Sequence, residues 1–481
     1  MLNPVTNNPA EYLPLCVDLD GTIIKSDVLA EQGLDLLRQR PWLIFLFLLW
    51  AIKGKAHLKS QIALRSTLDV SALPYHSELL SFLEHEHASG RDLFLTTAAN
   101  EIPAHRIADH LGIFRDVIAS SELSNLSGKA KLQELQRVFG DHRFGYAGNA
   151  AVDLHIWKHA SEAVVVNASP SLLRRAHQLT HVSHVFPRKN SKTALILRAI
   201  RVHQWVKNLL LILPLLLAHK FANFSAWLVI GIAFLSFSLC ASSVYVLNDL
   251  LDLKSDRIHP TKRARPFASA DISLKVGVIL IPLLLLVGLG LGSLLSLKFL
   301  GLLLLYYALT TSYSVYLKQI ALLDVLLLTL LYATRIFAGS VVSDVPISEW
   351  LLAFSMFFFF SMSMVKRVSE LHNVGQRKQF KADGRGYMAT DREQLASLGA
   401  ASGYCAVLVF SLYINSKAVQ ELYRHSQILW LICPVIFYWI SRLWLLAHRG
   451  EINEDPIVFA LKDRTSYLVG LLIVCILLIA I

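Results

Sequence analysis

Charge is scarce in this chain. Of its 481 residues only 17% are Asp, Glu, Lys or Arg, against a hydrophobic share of 54% and a mean hydropathy of +0.49. Such a balance excludes a solvated, disordered polymer. Cysteine is scarce too: Cys16, Cys240, Cys405, Cys433 and Cys475 are scattered, mostly in apolar runs. None has metal-ligand spacing to another, which leaves them as reduced packing residues. The opening MLNPVTNNPAEYLP lacks a basic segment followed by an apolar one. It does not read as a signal peptide, so the N-terminal region is expected in the cytoplasm.

What is present is unevenly spread. To about Asn190 the chain mixes charge and apolar residues as a globular domain does, and from about Trp205 it is dominated by long Leu/Ile/Val/Phe runs. The expected organisation is a globular domain over residues 1–186, a linker and interfacial segment over 187–203, and a membrane domain over 204–481. The linker reading rests on the Pro/Lys/Asn/Ser stretch Phe186–Ser191. Nine apolar runs follow: Trp205–Ala218, Ala226–Leu247, Val276–Leu297, Phe299–Leu317, Ile320–Val342, Trp350–Met364, Ala396–Ile414, Ile428–Ala447 and Ser466–Ile481. They predict nine transmembrane helices, the first and sixth extending into their flanks.

The net charge, 46 − 35 = +11, sits mostly in loops between these runs. That distribution favours membrane orientation over a nucleic-acid partner. The loop after the second run carries Lys254, Arg257, Lys262, Arg263, Arg265 and Lys275. The loop after the sixth carries Lys366, Arg367, Arg377, Lys378, Lys381, Arg385 and Arg392. Loops on the other face carry few: Lys220, Lys298, Lys417 and Arg424. The rich side is expected to be cytoplasmic, which implies a bacterial-type inner (cytoplasmic) membrane with the N-terminal domain and both rich loops inside.

Two sets of residues carry chemistry. In the first region, the strand signal Leu15–Leu19 runs into Asp18-Leu19-Asp20-Gly21-Thr22. Two carboxylates so placed suit phosphoryl transfer: one attacks phosphorus, the other protonates the leaving group and later activates water. A second strand signal, Asp92 to Thr97, ends in hydroxyls that can hold a phosphate oxygen. Lys129 and Lys131 open a helical stretch, and Phe144 to Gly148 leads into Asn149 and Asp153, which with Asp18 can complete an Mg²⁺ site.

This order resembles the haloacid-dehalogenase-like phosphatases over roughly Leu13 to Phe186. The resemblance implies a doubly wound α/β core, an aspartyl-phosphate intermediate and Mg²⁺. It makes Asp18 the nucleophile and Asp20 the acid/base, with Thr97, Lys131 and Asp153 as the later motifs. Asp18, Asp20 and Asp153 form the metal set; Thr96 and Lys129 are rival positions. Asn149 stands where the family's fourth motif usually begins with aspartate, so an active phosphatase and a scaffolding domain both remain open. Between the first two motifs lies the apolar run Pro41–Trp50, too short to span a membrane. With Trp at its ends and Lys53 and Lys55 after it, it reads as a cap helix, either at the membrane interface or buried.

In the second region the sequence Asn248-Asp249-Leu250-Leu251-Asp252-Leu253-Lys254-Ser255-Asp256-Arg257 directly ends an apolar run. On one helix Asp249, Asp252 and Asp256 would share a face. Clustered carboxylates repel unless a cation such as Mg²⁺ bridges them, and the same cation can hold a diphosphate. The pattern resembles the UbiA superfamily of intramembrane prenyltransferases from about Arg198 onward. That superfamily usually carries a second aspartate-rich loop after the sixth helix. Here the place reads Met364-Val365-Lys366-Arg367-Val368-Ser369-Glu370-Leu371, then Asp383-Gly384-Arg385-Gly386-Tyr387.

With Gln204 to Asn208, His259 to Arg263, Arg265-Pro266 and Asp455 to Ala460, this departure resembles the decaprenyl-phosphate phosphoribosyltransferase branch. The resemblance implies phosphoribosyl diphosphate as donor and a polyprenyl phosphate as nucleophile. Asn248, Asp249, Asp252 and Asp256 would serve the metal and the diphosphate, the aspartates as catalytic residues. Lys207, Lys262, Arg265, Lys366 and Arg367 would grip phosphates, and Glu370, Tyr313 and Lys318 join the substrate-binding set. Asp324 and Arg335 lie inside apolar runs and are expected to face the bundle interior. The fusion implies that the first domain removes the ribose 5-phosphate. The rival readings are an aromatic prenyltransferase using prenyl diphosphate with a non-catalytic N-terminal domain, and a transporter.

Overall fold

The computed structural model describes residues 13–121, 125–187, 192–220, 222–376, 385–452 and 455–481. Most of the opening segment, most of the Phe186–Ser191 stretch, and Arg377, Lys378, Lys381, Asp383 and Gly384 lie outside the described residues. The chain divides into two compact units: everything to Ala199 together with Asp249–Ile279, and Ile200–Asn248 together with Leu280–Ile481.

The first unit is built on short strands whose central members are apolar and buried, as a sheet covered on both faces requires. β1 (Leu15–Val17), β2 (Leu93–Asn100), β3 (Asp116–Ser120), β4 (Gly145–Gly148), β5 (Glu162–Val166) and β6 (His181–Phe186) form one parallel sheet in the order β3-β2-β1-β4-β5-β6. One face packs Leu15, Val17, Leu93, Leu95 and Ile107, and the other packs Cys16, Phe144, Tyr146 and Trp157. This is the doubly wound order expected, and its direction reverses beside β1. Ligands of such sheets bind outside the carboxyl ends of the strands at that reversal. Between β1 and β2 the chain inserts helices α1 (Val28–Gln39), α2 (Leu43–Ile52) and α3 (Lys55–Arg65), which share a small apolar core of Leu36, Leu43, Trp50 and Ile62. α4 (Lys129–Phe139) precedes β4.

Segment Asp249–Ile279 belongs to this unit. Arg257 grips both carboxylate oxygens of Glu31 on α1, at 2.6 and 3.0 Å, and donates to the carbonyl of Ala268. Lys254 pairs with Asp69 and Lys275 with Asp27.

The second unit is helical. Six described helices are long and apolar enough to cross a membrane: α5 (Phe224–Leu251), α7 (Leu274–Ser293), α9 (Leu323–Ser343), α10 (Glu349–Gln376), and the runs Ala389–Ile414 and Ser426–Arg449, which contain α11 (Arg392–Ile414) and α12 (Ile432–Arg449). A seventh is counted if Thr193–Ala199 and Val202–Leu217 form one broken span. Three of the nine expected runs thus differ in kind. The first reaches span length only with its N-terminal flank, and is bent there at Arg201, whose φ of 53° is left-handed. The fourth, α8 (Leu297–Val315), carries Lys298 and a Thr/Ser/Tyr-rich end. The ninth, the last helix (Arg464–Ala480), has 17 residues. The remaining short helix of the aspartate segment is α6 (Leu253–Ile258).

Candidate functional site

At the carboxyl end of β1 the chain turns sharply. Gly21 has φ +79°, and a Cβ there would lie 2.0 Å from Nδ2 of Asn149, so only glycine fits both the turn and the approach of the loop after β4. The turn leaves Asp18 buried and accepting 2.6 Å from the Lys131 ammonium. The same ammonium donates to the carbonyl of Thr96 and to the Tyr146 hydroxyl. Lys129, the rival position, is exposed. Asp20 accepts from the amide of Val28 at 2.8 Å, at the start of α1. Burial, then repulsion from Asp27 and Asp18, raises its carboxyl to about 7. A carboxyl titrating there can hold a proton for a leaving group at neutral pH.

After β4, Asp153 accepts from the amides of Asn149 and Ala150, both at 2.9 Å. Burial and the nearby Asp18 raise it to about 6. Thr97 accepts from the amide of Ala99, while the buried Thr96 hydroxyl has no hydrogen-bond partner among the described residues. The carboxyl ends of the central strands thus bring Asp18, Asp20, Thr97, Lys131 and Asp153 together. Three carboxylates there face the Lys131 ammonium, with Lys59 on α3 acting on Asp20. Hard oxygen donors with uncompensated charge suit Mg²⁺, so these residues fit the ion.

The aspartate segment is not one continuous helix. α5 ends at Leu251, Asp252 adopts φ −96° and ψ 11°, and α6 starts at Leu253. The expectation of one shared helical face is therefore corrected: Asp252 sits at the break. Asp249 and Asp256 still meet, because Arg265 bridges them at 3.2 and 2.5 Å. Asp256 is raised, by burial first, with Asp249 adding repulsion and Arg265 opposing both. The guanidinium occupies the bridging role read for a metal, and the donor set is again oxygen only. Lys262 is exposed, and its amide donates to His259.

In the helical unit, cations gather on few acids. Lys207 donates 2.6 Å to Asp455 and Lys366 lies 3.5 Å from the same oxygen, which Tyr332 also approaches. Burial would raise Asp455, but Lys207 and Lys366 overcome it and hold the carboxyl well below its usual range. Asp455 caps the short helix α13 (Pro456–Ala460), accepting from the amide of Ile457. Arg335 is buried, donating to Asn208 and Tyr306 and lying against the rings of Phe237, Tyr306 and Tyr332.

Arg367 is buried, bonded to Asp324 at 2.5 Å, to Glu370, and to the Tyr313 hydroxyl at 2.8 Å. Arg385 joins Tyr313 and Glu370, and Tyr387 donates to Asp324. Gly386 permits this: a Cβ there would lie 2.4 Å from the carbonyl of Gln319. Lys318 reaches Asn248 at 3.5 Å. Asp324 and Arg335 thus face the interior as the sequence suggests.

Residues 208–461 match the model of the UbiA prenyltransferase family. The chain belongs to that family. It is also similar to an uncharacterised protein, y4nM, of Sinorhizobium fredii, 37% identical over 465 residues, which are 96% of this chain and 90% of the relative. That likeness takes in the first unit. The decaprenyl-phosphate phosphoribosyltransferase of Mycolicibacterium smegmatis is 35% identical over 288 residues, 58% of this chain and 89% of its own. A solved UbiA homologue from Archaeoglobus fulgidus, bound to DMAPP and Mg²⁺, covers 58% of this chain and 98% of its own at 15% identity, with a TM-score of 0.45.

With its membrane-spanning helices, the UbiA region makes this a multi-pass membrane protein. Asp455 and Arg385 stand in stretches that the sequence already singles out, but the partners of each, two lysines for Asp455 and Tyr313 with Glu370 for Arg385, were not legible there. Tyr146 and Tyr332 gave no separate signal as site residues. Lys59 on α3 reaches the carbonyl of Ala98 and the side chain of Asn125, and burial lowers its pKa. Nothing in its spacing announced that.

Proposed function

We propose that the chain transfers 5-phosphoribose from phosphoribosyl diphosphate to a polyprenyl phosphate at the cytoplasmic face of a bacterial inner membrane, across a nine-span bundle. The N-terminal domain, residues 1–186, then removes the 5-phosphate. The observation that carries the first step is the charge of the UbiA bundle. Lys207, Lys366, Arg335, Arg367 and Arg385 stand against Asp324, Glu370 and Asp455, five cations to three carboxylates. Where a second aspartate cluster would hold another metal, the bundle instead offers positive charge for phosphates. The similarity to a decaprenyl-phosphate phosphoribosyltransferase supports the same reading.

Mg²⁺ held by Asp249, Asp252 and Asp256, with Asn248 beside them, would neutralise the departing pyrophosphate. Lys207 and Lys366 would hold anionic phosphate. Arg367, saturated by Asp324, Glu370 and Tyr313, would position the helices around it. The lipid phosphate is already ionised, so a bond from its oxygen to the anomeric carbon forms as the bond to pyrophosphate breaks, with no carboxylate base required. The main contribution of the residues is charge stabilisation and alignment. In the N-terminal domain Asp18 attacks the 5-phosphate as the bond to the ribose oxygen breaks and Asp20 protonates that oxygen; Asp20 then takes a proton from a water that attacks the phosphorus, which releases inorganic phosphate and frees Asp18. Lys131 offsets the charge on Asp18, and Asp153 and Asp18 would hold Mg²⁺.

The test uses purified full chain with Mg²⁺, phosphoribosyl diphosphate and a polyprenyl phosphate, following pyrophosphate, inorganic phosphate and lipid mass, with Asp18→Asn alongside. The expected result is a ribosyl lipid from the parent and a phosphoribosyl lipid from the variant. A phosphorylated product from both would reduce the first domain to a scaffold. No pyrophosphate, under conditions where prenyl diphosphate and an aromatic acceptor react, would overturn the donor.

A further inference from the structure

Helix α2 is ten residues long and has no charged side chain. At about 1.5 Å per residue it is roughly half the length needed to cross the hydrocarbon core of a bilayer. Its inner face is accounted for: Leu43 and Trp50 are buried with Leu36 and Ile62, and Leu46 and Phe47 pack beside them. Among the described residues its outer face has no such cover. Trp42, Ile44, Phe45, Leu48, Leu49 and Ile52 are all more than half exposed, Phe45 at 71% and Ile52 at 81%. Positions 42, 45, 48–49 and 52 recur at helical spacing, so they form one stripe. Soluble surfaces rarely leave such a stripe open.

The charge around the stripe identifies what covers it. No acidic residue occurs between Asp35 and Asp69. In that interval Arg38, Arg40, Lys53, Lys55 and Arg65 are exposed, and the guanidinium of Arg65 lies 4.9 Å from the centre of the Trp50 ring. A second copy meeting this face about a two-fold axis would bring like charges together. An apolar helix rimmed only by cations fits a surface that is apolar within and anionic at its edge. The unit that carries it is tied covalently to membrane-spanning helices through Asp249 and Ile279.

We propose that the Trp42–Ile52 stripe lies in the headgroup–acyl boundary of an anionic bilayer, with Arg38, Arg40, Lys53 and Lys55 meeting lipid phosphates. The inserted helix makes the cap of the first unit a membrane-contacting element. This inference does not depend on the phosphatase reading, since it concerns only where the cap lies.

The test places the photoreactive benzoylphenylalanine at Phe45 of the full chain in nanodiscs of phosphatidylcholine and phosphatidylglycerol. The same label at Glu101, exposed elsewhere in the unit, serves as the negative control, and at Leu283, exposed on α7, as the positive control. Mass spectrometry should find lipid adducts at positions 45 and 283 and none at 101. The yield at 45 should fall several-fold when phosphatidylglycerol is omitted or when Lys53→Glu and Lys55→Glu are introduced, while the yield at 283 stays constant. A protein–protein cross-link at 45, or no lipid adduct there while 283 reacts, would overturn the proposal.

Discussion

The charged cluster at the carboxyl ends of the central β-strands and the one inside the helical bundle are both buried, yet they have opposite deficits. At the carboxyl ends of the central strands Asp18, Asp20 and Asp153 outnumber the lysines near them, Lys131 and Lys59, and burial with repulsion between carboxylates pushes Asp20 and Asp153 upward. In the bundle two lysines share Asp455, whose carboxyl they hold low, and Arg335 is held by neutral groups. A buried cluster short of positive charge favours a metal cation, and one short of negative charge favours a phosphate. The contrast shows what each region lacks, which neither composition nor net charge could.

Substitutions in the two clusters should have effects from abolition to no change. Asp249→Asn combined with Asp252→Asn should bring pyrophosphate release to background, while phosphate release from a supplied phosphoribosyl lipid persists. Loss of both together would tie the regions into one catalytic unit. Lys131→Met should lower phosphate release by about 10²–10³-fold, because the ammonium bonded to Asp18 is gone. Pyrophosphate release is the internal control.

Arg367→Met leaves Asp324 buried without its nearest cation and should cost about 3–5 kcal/mol. Thermal unfolding of the variant in detergent would measure this. A shift no larger than that of Arg424→Met, a change at an exposed residue, would show that Arg385 alone satisfies the acid.

A smaller effect concerns acid. Burial opposes ionisation of Glu162, but its bond to Arg91 more than compensates and lowers its pKa. Such a group stabilises the fold above its unfolded value, about 4.3, and that stability is lost as pH falls through the lower folded value. Glu162→Gln should therefore be less stable than the parent at pH 7 by about 1–2 kcal/mol. The difference should shrink only in strongly acidic buffer, and a gap that instead widened on acidification would refute the assignment. Lys129→Ala, two residues before Lys131 on the same helix, should leave phosphate release unchanged.

Local patterns made much of this legible. Asp18 and Asp20 were readable because strand, turn and carboxylates lie within eight residues, and Asp249 because a polar cluster abruptly ends an apolar run. The choice between Lys129 and Lys131 was not readable, since both open the same helix and only its packing turns one toward Asp18. Nor was the break at Asp252, because the spacing of the aspartates fits an unbroken helix equally well.

By itself the sequence determined an α/β region ahead of apolar helices, the family of the second region, and the residue types able to hold metal and phosphate. Those follow from periodicity and short motifs, which act over a few residues. Tertiary structure alone decided that Arg265 bridges Asp249 and Asp256, that Lys207 and Lys366 share Asp455 across 248 and 89 positions of chain, and that α2 leaves one face bare. Each is a pairing, or the lack of one, between surfaces that meet only when distant elements pack, and side-chain charge is strong only after that packing has removed water.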